Sequence, residues 1–270
     1  MPSIRNNIKN NVNGSKNTRM NLNNAVEKAN FRKDELMHIG RYIGACQTAI
    51  DLSAKLGRPV RVLDLGCGEM YFLRMLYASF VCKKSDVVKQ YIGIDIDDIC
   101  LGQLKERFSS IIENCNAKLI CQDITTNPHI KVRDGYFDMI IWYEMIEHVQ
   151  PEFIPPMMKE VSRVLNPDHG IALISTPNAN GSNKKLPKDH IYEWAYEELM
   201  EVLKDNFASI DTYGMCINSS RVPAEVMEEH REEIDTFYNA WGRNSAFACV
   251  AAAALIPPTY CKNVLYKCKH

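Results

Sequence analysis

The eight residues RVLDLGCG at positions 61–68 limit the folds open to this chain more than any other stretch. Val62, Leu63 and Leu65 surround Asp64 in the kind of short apolar run that marks a strand buried on both faces. Two glycines then flank Cys67, and Phe72, Leu73, Leu76 and Phe80 come next at helical spacing. Strand, glycine turn and helix in this order form the opening unit of an α/β domain that receives a nucleotide. Glycine is needed where a Cβ would hold a ligand off the backbone, or where the turn takes a positive φ. Many such turns bind nothing, so this one gains meaning only from the strands and helices C-terminal to it.

Strands and helices alternate along the rest of the chain. Residues 34–56 carry Leu36, Ile39, Ile43, Cys46, Ile50 and Leu56 at three- to four-residue steps, which predicts an amphipathic helix ended by Gly57 and Pro59. Further strands are expected at 91–96, 117–124, 137–143, 170–177, 210–215 and 263–268. Between them lie helices at 98–112, where Asp98 is the expected cap, and at 151–165, 194–207, 222–238 and from 246 onward. Right-handed crossovers then make the sheet mostly parallel, with helices on both faces. Ligands of such sheets bind at the carboxyl ends of the strands, and that edge collects Asp64, Gly66, Gly68, Asp95, Asp123, Glu144 and Asn178.

Composition narrows the function. A chain of 270 residues can bury a full core, and its net charge of −1 gives no global attraction to nucleic acid or anionic membrane. Ten cysteines are scattered without a CxxC pair, which argues against zinc or a dithiol motif and for a reducing, cytoplasmic setting. The longest apolar run, 246–258, is too short to cross a bilayer, so no membrane partner is expected. Residues 1–24, rich in Asn and Lys, cannot offset their ordering entropy by burial and are expected to be a flexible tail ahead of one domain at 25–270.

Three nucleoside cofactors compete for the edge. No GxxxxGK[ST] is present, and GCGEMY supplies only two of the three glycines of a dinucleotide turn. S-adenosylmethionine, which has no pyrophosphate, remains. At these residues the chain resembles the class I S-adenosylmethionine-dependent methyltransferases. VLDLGCGEM matches their first motif, GIDI their ribose motif, CQDI their adenine motif and FDMIIWYEMIEHV their fourth, over about residues 60–215. The resemblance implies a doubly wound, mostly parallel seven-stranded α/β sheet, Rossmann-like, with S-adenosyl-L-methionine as cofactor. It implies that the 64–68 turn, with Asp64, Gly66, Cys67 and Gly68, faces the methionine half. Asp95 would hold the ribose hydroxyls with Ile96 against the adenine, Asp123 would accept from the adenine amine with Ile124 beside it, and Glu144 would border the cofactor. Two departures stand out: Met70 replaces a third glycine, and Asp168–His169–Gly170 replaces a proline-glycine turn, a change expected to affect only a surface loop.

Glu144, Glu147 and His148 stand at i, i+3 and i+4, so one helical turn would put them on one face, and His190 arrives from beyond strand five. Two carboxylates and two imidazoles can hold Mg²⁺ or Mn²⁺ against a vicinal diol. Here the chain is similar to the small-RNA 2′-O-methyltransferases, with their Glu-x-x-Glu-His, STPN and later His. In a metal-free alternative, also met in ubiquinone-type O-methyltransferases, His148 or His190 is the general base or a positioning group. Glu144, Glu147, His148 and His190 are therefore the catalytic candidates in either case, and the metal ligands in one. Trp142, Tyr143 and Tyr71 either line a pocket or belong to the core.

Three functions stand as expectations: methyl transfer to an oxygen or nitrogen of a small-molecule or RNA acceptor; a divalent-metal-dependent RNA 2′-O-methyltransferase; and a non-catalytic cofactor-binding scaffold. The acceptor is expected to be read by the first helix, the loop 179–190 and an insertion at 216–260. That insertion is expected to form a helical cap over the pocket or a homodimer contact.

Overall fold

The computed structural model describes residues 33–79, 87–179, 186–243 and 245–270. The expected tail, Phe80 and residues 180–185 of the 179–190 loop fall outside the described residues. Helix α1 (Lys33–Leu56) leads into β1 (Val60–Leu65), α2 (Tyr71–Ser79), β2 (Val88–Asp95), α3 (Asp98–Arg107), α4 (Ser109–Asn114), β3 (Ala117–Cys121) and β4 (Met139–Tyr143). Then come α5 (Ile154–Val164), β5 (Ile171–Pro177), α6 (Tyr196–Lys204), β6 (Ser209–Gly214), α7 (Ala224–Glu229), α8 (Arg231–Trp241), α9 (Ala246–Ala253) and β7 (Asn263–Lys269). The seven strands run in the order β3-β2-β1-β4-β5-β7-β6. All neighbours are parallel except β7, which is antiparallel to both β5 and β6.

The period-two alternation of strand side chains builds two cores from one sheet. Val62, Met139 and Ile141 face one side with Ala45, Cys46, Ala49 and Leu52 of α1 and Phe72, Leu73 and Leu76 of α2. Leu63, Leu65, Ile140 and Trp142 face the other, against Met157, Met158 and Val161 of α5 and Leu199 and Leu203 of α6. β1 and β4 are thus covered on both faces, which explains the unbroken apolar sequence of β4 and the apolar residues Val60, Val62, Leu63 and Leu65 of β1.

Several expectations need correction. The cap of α3 is Asp97, whose Oδ1 accepts from Cys100 N at 2.9 Å, not Asp98. β3 stops at Cys121 rather than 124, because Asp123 turns the chain: its Oδ1 accepts from Thr125 N (2.9 Å) and Oγ1 (2.6 Å). The expected 222–238 helix divides at His230 into α7 and α8. His169 is no surface-loop residue: its Nε2 lies 2.8 Å from Oδ1 of the buried Asp138. The helices of the insertion share a third core, with Cys216, Ile217, Ile234, Tyr238 and Cys249 packed together, and Met37 of α1 joins it. Trp241 stacks on Phe237 (5.9 Å) and tilts against Phe247 (6.3 Å). Among the described residues, no helix is long and apolar enough to cross a membrane.

Candidate functional site

The turn after β1 is shaped by three left-handed residues, Gly66 (φ 67), Gly68 (φ 44) and Met70 (φ 53). A Cβ on Gly66 would meet Met145 Cγ at 3.1 Å, so this glycine makes room for the β4 loop as well as for the turn. Met70 bears its strained backbone by burying its side chain completely, and α2 starts directly after it. The missing third glycine is thus replaced by a hydrophobic anchor.

A cavity of about 360 Å³ opens at the carboxyl ends of β1, β2 and β4. Of the residues expected around the cofactor, Gly66, Asp95, Ile96, Asp123, Ile124 and Glu144 line it, together with His148, Met145 and Val149. Asp64, Cys67 and Gly68 are not among its lining residues. Gly68 N donates to Asp95 Oδ2 at 2.8 Å and Asp97 N to Oδ1 at 3.1 Å, so the backbone aims this carboxylate. Asp64 is buried, receives the Tyr91 hydroxyl on Oδ2 at 2.7 Å, and is pushed up to about 7 by burial, with the Asp95 charge adding to the effect against that hydrogen bond. Asp123 is held below the usual carboxylate range, chiefly by the Thr125 hydroxyl. Ile96 is 68 % exposed and offers an open apolar surface, whereas Ile124 is buried. Trp142 belongs to the core, its Nε1 set against Met145 Sδ, and Tyr143 is buried too; Tyr71 is half-exposed.

The Glu-Glu-His segment does not form the single helical turn its spacing predicts. Glu144 takes a left-handed backbone (φ 49), and only Ile146–His148 winds, as a 3₁₀ turn. This separates the two glutamates. One ligand atom each of Glu147, His148 and His190 lie within 4.8 Å of one another; Glu144 is outside this group. His190 is delivered by the chain after β5, where Ile191 N and Tyr192 N both donate to Glu147 O (2.8 and 3.2 Å). Nδ1 of His148 faces Asp189 O at 2.8 Å, and Nδ1 of His190 faces Glu193 Oε1 at 2.8 Å. A proton on each Nδ1 satisfies these acceptors and leaves both Nε2 lone pairs for a ligand. Glu147, 1 % exposed, accepts the Thr176 hydroxyl (3.0 Å) and is pushed up to about 8 by burial and by the Glu144 charge.

Glu144 instead accepts from Ser175 Oγ (3.0 Å) on Oε1 and Asn263 Nδ2 (2.8 Å) on Oε2, and pairs with Arg41 Nη1 at 2.7 Å. It forms the wall between the first cavity and a second of about 520 Å³, which also touches His38 and Arg41 of α1, His190, Arg221 and Lys262. Arg41 was missed in the sequence, although a signal existed. It interrupts an otherwise apolar stripe, Met37, Ala45 and Ala49, at four-residue steps.

A family model described as a methyltransferase domain matches residues 39–214. The small RNA 2′-O-methyltransferase of Rattus norvegicus is 29% identical over 152 residues, covering 52% of this chain and 36% of that protein, so the chain spans little more than a third of that relative's length. Among solved structures, the small RNA methyltransferase HEN1 superposes with a TM-score of 0.56 at 17% identity, covering 89% of this chain and 26% of that one. The methyltransferase domain of a bacterial Hen1 (CtHen1-CN) does so with a TM-score of 0.50 at 16% identity, covering 84% and 97%. At these identities the structures speak for the fold alone.

Proposed function

The chain belongs to the methyltransferase-domain family; from that premise we propose that it uses S-adenosylmethionine as methyl donor and methylates a ribose 2′-hydroxyl of RNA with the help of a divalent cation. The observation that carries this reading is the convergence of Glu147, His148 and His190, with both imidazoles fixed at Nδ1 by protein acceptors. Such outer partners are what metal-binding histidines require, and the buried Glu147 supplies a carboxylate oxygen that gives up its proton when a cation binds. The donor set fits Mg²⁺ or Mn²⁺. When bound, the ion would act as a Lewis acid on the hydroxyl and as an anchor for its vicinal neighbour.

The other residues bind and orient. Asp95, pre-aimed by Gly68 N–H, accepts from the ribose hydroxyls of the cofactor, and Ile96 and Ile124 flank its adenine. The acceptor enters the second cavity, so that its hydroxyl reaches the sulfonium methyl past Glu144. The oxygen forms a bond to the methyl carbon as the S–C bond breaks, the sulfonium becomes a neutral thioether, and the hydroxyl proton leaves to solvent. Much of the rate comes from this alignment. A metal-free reading has support as well: the Nε2 of either imidazole can take the proton from a small-molecule hydroxyl directly.

Radiolabelled S-adenosylmethionine offered with an RNA oligonucleotide and with its 2′-deoxy-terminated twin tests the proposal. Label should enter only the ribose-terminated strand, vanish with chelator and return with Mn²⁺. Transfer to small molecules that chelator leaves untouched would favour the metal-free reading.

A further inference from the structure

The wall between the two cavities holds two carboxylates in unlike situations. Glu147 receives one hydroxyl and shares its space with two imidazoles. Glu144, three residues earlier, is held by partners from three separate elements: the Arg41 charge of α1 and hydrogen bonds from Ser175 of β5 and Asn263 of β7. Its left-handed backbone turns it out of the 3₁₀ turn that carries Glu147 and His148. Arg41 is 1 % exposed, so its charge has little water to lean on. Its Nη1 contacts Glu144 Oε1 at 2.7 Å but off the hydrogen-bonding direction, and among the described residues its Nε has no hydrogen-bond partner; Nη2 is spent on His38 Nδ1 at 2.7 Å. Glu144 is therefore the anion on which this buried guanidinium depends, and a divalent cation reaching for Glu144 would compete with a fixed positive charge.

We infer that Arg41 withholds Glu144 from the cation, so that Mg²⁺ or Mn²⁺ is held by Glu147, His148 and His190 alone, and Glu144 stays as the acceptor-side wall of the cofactor cavity. This inference rests on the metal-dependent reading above. Arg41 is a positioning residue here: it acts through Glu144 and sets the number of protein ligands. The four-residue set that the sequence suggests becomes a three-residue set because α1 supplies an internal cation.

Mn²⁺ titrations followed by the electron paramagnetic resonance signal of the free ion test this without any turnover. Outer partners of metal-bound histidines are worth about 10–100-fold in affinity, so Glu147→Gln and His190→Ala, which remove ligands, should each weaken Mn²⁺ by about 100-fold or more. Glu144→Gln should cost less than about 10-fold, through the unbalanced Arg41 charge only. Arg41→Leu should tighten Mn²⁺ by about 10-fold or more as Glu144 joins the set, and Arg41→Leu with Glu144→Gln should return to within about 3-fold of the starting protein. A loss in Glu144→Gln equal to that in Glu147→Gln overturns the inference, and so does a gain in Arg41→Leu that survives in the double variant. Should Arg41→Leu fail to fold, the Glu144→Gln against Glu147→Gln comparison decides alone. Absence of Mn²⁺ uptake by the unaltered protein refutes the metal reading itself and this inference with it, an outcome distinct from the first two.

Discussion

The two ends of β4 put buried acids in opposite circumstances. At its amino end Asp138, fully buried, accepts from Arg58 Nη1 and Nη2 (2.9 and 2.8 Å), from Arg61 N (2.8 Å) and faces His169 Nε2 (2.8 Å). Burial by itself would push this carboxyl up, but the hydrogen bonds from Arg58, His169 and Arg61 overcome it and hold it well below the usual carboxylate range. At the carboxyl end, burial wins: Glu147 has one hydroxyl, beside a second carboxylate, and is pushed up to about 8. The five strand residues between them, Met139–Tyr143, are equally buried, so depth alone does not separate the two ends. The difference lies in partners. An acid whose partners are all internal fastens loops together, whereas one left short of partners is ready for a ligand from outside.

The largest break in that contrast is expected from Asp138→Ala. Removing one member of a buried ion pair costs about 3–5 kcal/mol, and the lower figure of about 3 kcal/mol applies because Arg58 is partly exposed and water takes up some of its charge. Urea unfolding should report this loss, while the folded fraction still binds S-adenosylhomocysteine unchanged. Next comes Asp95→Ala at the opposite edge. Losing hydrogen bonds to a charged group costs about 1.5–3 kcal/mol, or about 10–100-fold in S-adenosylhomocysteine affinity by calorimetric titration.

A smaller effect depends on pH. The native value of Asp138 lies below the unfolded carboxyl's value of about 3.9, so its stabilisation is complete above that pH and is lost as pH falls through the native value. The unfolding free-energy difference between the unaltered protein and Asp138→Asn should be flat from about pH 7 to about pH 5, then shrink by at most about 1.4 kcal/mol per pH unit in acid. A difference that grows in acid would break the comparison. The smallest effect on stability belongs to Glu147→Gln. The amide resembles the protonated acid, so urea unfolding should shift by less than about 1 kcal/mol while labelled methyl transfer to RNA disappears. A destabilisation matching that of Asp138→Ala would make Glu147 another fastening residue and remove it from the site.

Much of this architecture was legible from local signals. Period-two and period-3.6 patterns depend only on chain neighbours, so the seven strands, the helix ahead of β1 and the acid-bearing strand ends could be read directly. Asp95, Ile96, Asp123 and Ile124 reach one cavity because a parallel sheet brings every strand's carboxyl end to the same edge. Trp142 and Tyr143, by contrast, looked equally suited to pocket and core, since an aromatic pattern does not say which side of a strand is covered.

What the sequence determined, then, is the fold and the edge that gathers the candidate site residues, because both derive from spacing along the chain, and, through the resemblance of its motifs, the methyltransferase family. Only the tertiary structure decided which charge meets which. Arg41 pairs with Glu144, His169 joins Asp138, and Glu193 and Asp189 fix the rings of His190 and His148. All of these contacts except His190–Glu193 join segments far apart in sequence, and the site as a whole depends on the loops after β4 and β5 packing together. The physical reason is that a charge is satisfied by distance and direction in space, and spacing along the chain records neither once the chain has turned.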